Sequence, residues 1–163
     1  MAAAEITRKM IAYSKGNRHD INHFMKVYAF AKTIGECEGL DEAAQTILEI
    51  AAIVHDIACP LCREKYGSTN GKYQEPEVPA LVRDFLEDSG LSQDAVERIA
   101  WLVGHHHTLR GIDGPDYQIL IEADYLVNAD ESGYSRENVE NTLGKVFRTK
   151  TGISLLKTMY LEG

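Results

Sequence analysis

The stretch that most constrains this chain is IAAIVHDIAC, residues 50–59. At helical spacing Ile50, Ala51, Ala52, Ile53, Val54, Ile57 and Ala58 leave almost no polar side, so at least one of His55 and Asp56 must face the interior. An unpartnered buried carboxylate costs on the order of several kcal/mol, and an ion pair, a full set of hydrogen bonds or a metal is what offsets that cost. His beside Asp in a core helix therefore asks what the pair holds.

The surrounding pattern is helical throughout. Residues 3–15 read as a short amphipathic helix closed by Gly16, and Asp20 or Asn22 is placed to cap a second over about 21–38, with Val27, Phe30, Ala31 and Ile34 on its apolar face. His23 lies on that face one turn before Val27, with Lys26 just round the helix. Gly39 ends this helix, Asp41 caps a third over 42–58, and Pro60 stops it. Two glycines, three prolines and several charges make 60–79 a long loop, of the kind that often serves as a lid. Helical periodicity resumes at 78–88. Ser92 caps a helix to about 106, and another runs over about 117–130 with Leu120, Ile121, Val127 and Asp124 on one face. The tail, 135–161, reads as two helices split near Thr149 to Gly152, and its Ile153, Leu155, Leu156, Met159 and Leu161 suit either a core face or a homodimer contact. No period-2 strand or repeat interrupts this, so the expected architecture is an all-α single-domain helical bundle over 1–163, with its core at about 20–130.

Composition narrows the partners. A net charge of -8 argues against duplex nucleic acid or an anionic membrane surface. No run approaches the roughly 18 apolar residues of a membrane span, and the charged N-terminus does not read as a signal peptide. Three cysteines without an export signal fit the cytoplasm. Cys59 and Cys62 have the spacing of half a zinc knuckle, but no second half exists, so core or loop roles are expected for them.

Four helices thus each carry a metal-competent side chain on an apolar face: His23, His55 with Asp56, His106 and Asp124. Singly, each reads as a hydrogen-bonded core histidine or a capping aspartate. Together they contain more inward carboxylates than the basic residues of those faces can neutralise, and a divalent cation held by imidazoles and carboxylates resolves the burial of all of them.

In order, His23, His55-Asp56 and Asp124 resemble the HD-domain superfamily of metal-dependent phosphohydrolases. His23 with Lys26 and Val27 is similar to the opening His of that family followed by a basic residue, IVHDIA to its HD signature, EADYL to its closing Ala-Asp element, and Val103 to His107 to its His-His element. The resemblance implies His23, His55, Asp56 and Asp124 as ligands of a divalent ion (Mn, Fe, Co, Ni, Zn or Mg), with a second ion as a further expectation. It implies attack of a metal-activated water on phosphorus in a small phosphorylated substrate, a nucleotide above all, by a phosphomonoesterase or phosphodiesterase. Lys26, His106 and His107 are then the candidates for binding phosphoryl oxygens or protonating the leaving group, and Arg63, Lys65, Lys72 and Arg110 for holding further phosphates. The spacing of His105 to Asp113 departs from the cyclic-dinucleotide phosphodiesterase branch. Two other readings stay open: a di-iron oxygenase, which similar folds host, and a non-catalytic nucleotide-sensing module that keeps its metal for stability.

Overall fold

Side-chain caps fix where most of the helices begin. In the computed structural model, which describes residues 3–162, Asn17, Asp41, Asn70, Ser92, Ser135 and Thr149 each accept a hydrogen bond from a first-turn backbone N–H. The helices are α1 (Ala3–Tyr13), α2 (Arg18–Glu38), α3 (Glu42–Val54), α4 (Cys59–Tyr66), α5 (Gly71–Phe85), α6 (Gln93–His105), α7 (Pro115–Glu131), α8 (Arg136–Lys145) and α9 (Lys150–Tyr160). No strand occurs among the described residues, and the fold is the expected all-α bundle.

Three sequence expectations need correction. The cap of α2 is Asn17, so that helix starts three residues before the expected 21. The third helix ends at Val54, four residues short of 58, and the chain turns through 55–58 on Ile57 N–H to Val54 O and Cys59 N–H to Asp56 O bonds. The expected loop over 60–79 is mostly helical. Pro60 occupies the first turn of α4, where its missing N–H would be unpaired anyway, so it opens a helix and does not merely stop one. Pro76 and Pro79 lie inside α5. An interior proline disfavours a helix by about 3 kcal/mol, yet the buried stripe Val78, Val82 and Phe85 holds this one against α6.

The core is built on α3, which packs against α1, α2, α6 and α7. Val27, Ala31 and Ile34 from α2, Leu48 and Ile53 from α3, Ile99 and Leu102 from α6, and Leu120, Ala123 and Leu126 from α7 are all fully buried. By length and composition alone the stretch 42–66 is apolar enough to cross a membrane. Most of it is buried in the bundle and it is broken by the turn at 55–58.

The C-terminal pair is pinned to α7 by Glu122, which is fully buried. Its Oε2 accepts from Arg148 N–H and Thr149 N–H at 2.9 and 3.0 Å and from the Gln118 amide, while its Oε1 accepts from the Thr149 hydroxyl. Gly152 is the only residue type that fits beside it, since a Cβ there would fall 1.9 Å from Glu122 Oε1. Leu156 turns into the core and Ile153, Leu155 and Leu161 pack on it, so α9 spends most of its apolar face inside the fold, with Met159 exposed.

Candidate metal centre

The break after α3 is what assembles the site. Adjacent residues in a regular helix point about 100° apart, whereas in the turn His55 Nε2 and Asp56 Oδ2 come within 3.4 Å of each other. α2 brings His23 and α7 brings Asp124, and both helices pack on α3. His55 is fully buried and His23, His106 and Asp124 nearly so, while the Asp56 side chain is 27% exposed and faces a cavity.

Each imidazole has one nitrogen already committed. His55 Nδ1 donates to Ala52 O at 2.7 Å and His106 Nδ1 to Val103 O at 2.6 Å, because a carbonyl oxygen only accepts. His23 Nδ1 donates to the carboxylate Oε1 of Glu131 at 2.7 Å. In the neutral rings all the Nε2 lone pairs are therefore bare, and His23 Nε2 lies only 3.1 Å from His55 Nε2. Two facing lone pairs at that distance repel unless a cation or proton lies between them.

The carboxylates complete the same knot. Asp56 Oδ2 is 3.3 Å from His23 Nε2, and Asp124 Oδ1 is 3.3 Å from His23 Nε2 and 3.4 Å from His55 Nε2. Donors bound at about 2.1 Å to one ion are separated by about 3.0 to 3.4 Å in octahedral or tetrahedral arrangements, so these spacings fit a common ion. Two buried polar atoms here, His106 Nε2 and Asp124 Oδ1, have no hydrogen-bond partner. Orphaned acceptors of this kind, converging with imidazole nitrogens, are what a divalent ion satisfies. The potential ligand atoms form two overlapping sets, His23, His55 and Asp124 on one side and His55, Asp56 and His106 on the other. Asp56 turns its second oxygen, Oδ1, toward His106 Nε2 at 3.7 Å.

Charge follows the same lines. Burial opposes a charged His55, but the carboxylates of Asp56 and Asp124 outweigh it and raise its pKa to about 9. Burial also opposes ionisation of Asp124, and there the close approach of His23 and His55 wins and holds the group well below the usual carboxylate range. His106 goes the other way. Burial, then the neighbouring His107 and His55, push it down to about 4, so it stays neutral with a free Nε2.

A cavity of about 350 Å³ opens over the site, lined among others by Asp56, Asp124, His107, Arg63 and Gln74. Of the residues singled out from the sequence, His23, His55, Asp56, His106 and Asp124 meet at the knot, and His107 lies against His106 with ring centroids 3.8 Å apart. Arg63 reaches the cavity wall, its fork closed on Asp20 at 2.7 and 2.8 Å. Lys26 pairs with Glu131 Oε2 at 2.9 Å. Lys65 pairs with Glu77, Lys72 lies over the Tyr73 ring and Arg110 is exposed on the loop before α7; none of these lines the cavity. Glu131, Asn128 and Asp20 on the wall escaped the sequence reading. A signal existed for two of them, since Asp124, Asn128 and Glu131 fall at i, i+4 and i+7 on α7.

The HD-domain family model matches residues 20–132, well over half of the chain. The chain belongs to the HD-domain family, a superfamily of metal-dependent hydrolases, and the match spans every residue of the knot. Comparison with curated proteins and with solved structures returned no match.

Proposed function

We propose that this protein is a metal-dependent phosphohydrolase acting on a small phosphorylated molecule, with His23, His55, Asp56 and Asp124 as the ligands of its ion. The observation that supports this most directly is the pair of imidazole Nε2 atoms 3.1 Å apart, flanked by the orphaned Asp124 Oδ1. Bound there, a divalent ion would offset charge on phosphoryl oxygens and acidify a water.

The chain's own residues divide the remaining work. Asp56, which is both a ligand and open to the cavity, orients the attacking water through its exposed edge. His107 on the wall is placed to protonate the leaving oxygen, and Arg63, its fork closed on Asp20, presents a fixed positive edge to a phosphoryl group. His106 enters as a further nitrogen donor on the far side of Asp56.

The charge inventory narrows the substrate. Arg63 is the sole lysine or arginine among the described residues lining the cavity, and Asp20 already balances it. Nothing there matches the extra charge of a di- or triphosphate, so a single phosphoryl group, as in a phosphomonoester or nucleoside monophosphate, fits best. The three free cysteines suit a reducing, cytoplasmic setting.

The test is phosphate release from a panel of mono-, di- and triphosphates by manganese-, cobalt- and iron-loaded protein, beside Asp56→Ala. Turnover of monophosphates that vanishes in the variant is the expected result. A metal-replete protein inert to all of them would sink the hydrolase reading.

A second reading, an oxygen-dependent di-iron enzyme, is favoured by one observation, the overlap of the two ligand sets at His55. Two irons per chain with oxygen consumption would select it; one ion with phosphate release would exclude it.

A further inference from the structure

The histidines of the knot are not held alike. His55 and His106 lean on backbone carbonyls three residues back, in the last turns of α3 and α6. His23 alone leans on a carboxylate, and that carboxylate comes from another helix, α7. We propose that Glu131, anchored by Lys26, is the positioning residue of this centre: it fixes His23 as the Nδ1–H tautomer and keeps the Nε2 lone pair turned toward the ion. This deepens the metal-site reading and rests on it.

The geometry leaves Glu131 little other employment. Its two oxygens are separately engaged, Oε1 by His23 Nδ1 at 2.7 Å and Oε2 by Lys26 Nζ at 2.9 Å. A carboxylate used at both oxygens is poorly suited to exchange protons with a substrate, although it lines the cavity. The opposite tautomer of His23 would set a bare Nδ1 against a carboxylate oxygen at 2.7 Å and would turn an N–H toward the knot, where the buried acceptor Asp124 Oδ1 awaits an ion. The carboxylate therefore decides which nitrogen faces inward. A carboxylate behind an imidazole also strengthens it as a donor and locks the ring's orientation, effects whose removal typically weakens metal binding about 10- to 100-fold.

Lys26 gains a different role from the one its position in the sequence suggested. It follows His23 by three residues on α2, so one helix face carries both partners of Glu131 and ties α2 to α7 beside the ion. Lys26 keeps the carboxylate charged and in place, and acts on the site through it.

The test compares wild type with Glu131→Gln, Glu131→Ala and Lys26→Met. Zinc affinity is measured by competition with a chromophoric chelator, and the protonation of each ring nitrogen by 15N-resolved NMR of the zinc-loaded and chelated proteins. The expected results are a zinc affinity about 10- to 100-fold weaker in Glu131→Ala, a smaller loss in Glu131→Gln, which keeps an acceptor but not the charge, and a smaller one again in Lys26→Met. The His23 Nδ1 proton, protected in wild type, exchanges freely in Glu131→Ala. Zinc affinity within twofold of wild type in Glu131→Ala with that proton unchanged would overturn the proposal. So would an equal loss of melting temperature in the loaded and chelated forms with unchanged affinity, which is the mark of a purely structural ion pair. Wild type that binds no zinc and no other divalent ion would overturn the site itself, and is recognisably a different failure.

Discussion

Glu122 and Asp124 stand two residues apart on α7, both withdrawn from water, and the fold treats them in opposite ways. Glu122 receives two backbone N–H groups, a hydroxyl and an amide, so both of its oxygens are satisfied by the protein. Asp124 faces two imidazoles at 3.3 and 3.4 Å, and its Oδ1 accepts no hydrogen bond. One carboxylate closes a structural joint, holding the start of α9 on α7. The other is left open toward a ligand. Burial alone does not separate the two cases. What separates them is whether the acceptor's partners come from the chain.

The contrast breaks most sharply under substitution of Asp124. Asp124→Ala should abolish metal retention, an affinity loss of more than about 100-fold, since removing a ligand exceeds the effect of disturbing a residue behind one. Metal content per chain by mass spectrometry reads this directly. The chelated form should lose little by comparison with the loaded form, and retention of a full metal complement would return Asp124 to the class of Glu122. Glu122→Ala should do the reverse. Four donors would lose their acceptor in a buried site, at a cost of about 3 kcal/mol, equal in loaded and chelated protein. Denaturant titration of both forms checks it, and a metal-dependent difference would link the joint to the site.

The same contrast predicts a pH signature confined to the metal knot. In the chelated protein His55 is raised from its ordinary 6.5 to about 9. A raised pKa stabilises the folded state fully below about 6.5, and that contribution is lost as pH climbs toward 9. His106 is lowered to about 4, so its contribution is present above about 6.5 and is lost as pH falls toward 4. The chelated protein should therefore melt lower at pH 9 than at pH 7. The loaded protein should not follow, because a bound cation replaces the proton on His55 and metal affinity rises as protons are withdrawn. Melting curves from pH 5 to 9 with and without metal decide the matter; parallel curves would mean that the proton and the ion do not share His55.

Much of this was legible in the sequence, and the limits have physical causes. Asp41 and Ser92 announce their helices because a capping side chain followed by an apolar period is a local signal. The knot was legible too, since His23, His55, Asp56, His106 and Asp124 all interrupt apolar faces. The first half of α5 was not, because the prolines in this helix oppose it locally and only the packing of Val78, Val82 and Phe85 overrides them. Nor did the sequence show the turn at 55–58, whose apolar residues continue the helical period unbroken. Glu131 and Glu122 read as ordinary charges on a helix. Their meaning lies in partners far along the chain, at His23 and at Arg148 with Thr149, which no local window contains.

The smallest expected effect tests the edge of the open region. Lys65 and Lys72 were attractive phosphate ligands when 60–79 read as a loop. With that stretch helical, Lys65 is committed to Glu77 at 2.7 Å and Lys72 rests over Tyr73, its Nζ 5.0 Å from the ring centre. Both are exposed, and exposed contacts of this kind contribute little because solvent screens them. Lys65→Ala and Lys72→Ala should then change kcat/KM for a phosphomonoester by less than about twofold, since neither contact reaches the reacting group. Arg63→Ala, which removes the one guanidinium among the described residues of the cavity wall, should cost about tenfold or more through KM. If Lys72→Ala instead matched Arg63→Ala, the start of α5 would have to swing over the cavity when substrate binds. Gly71, whose missing Cβ lies 3.1 Å from His107 Cβ, would then be where that motion presses on the site.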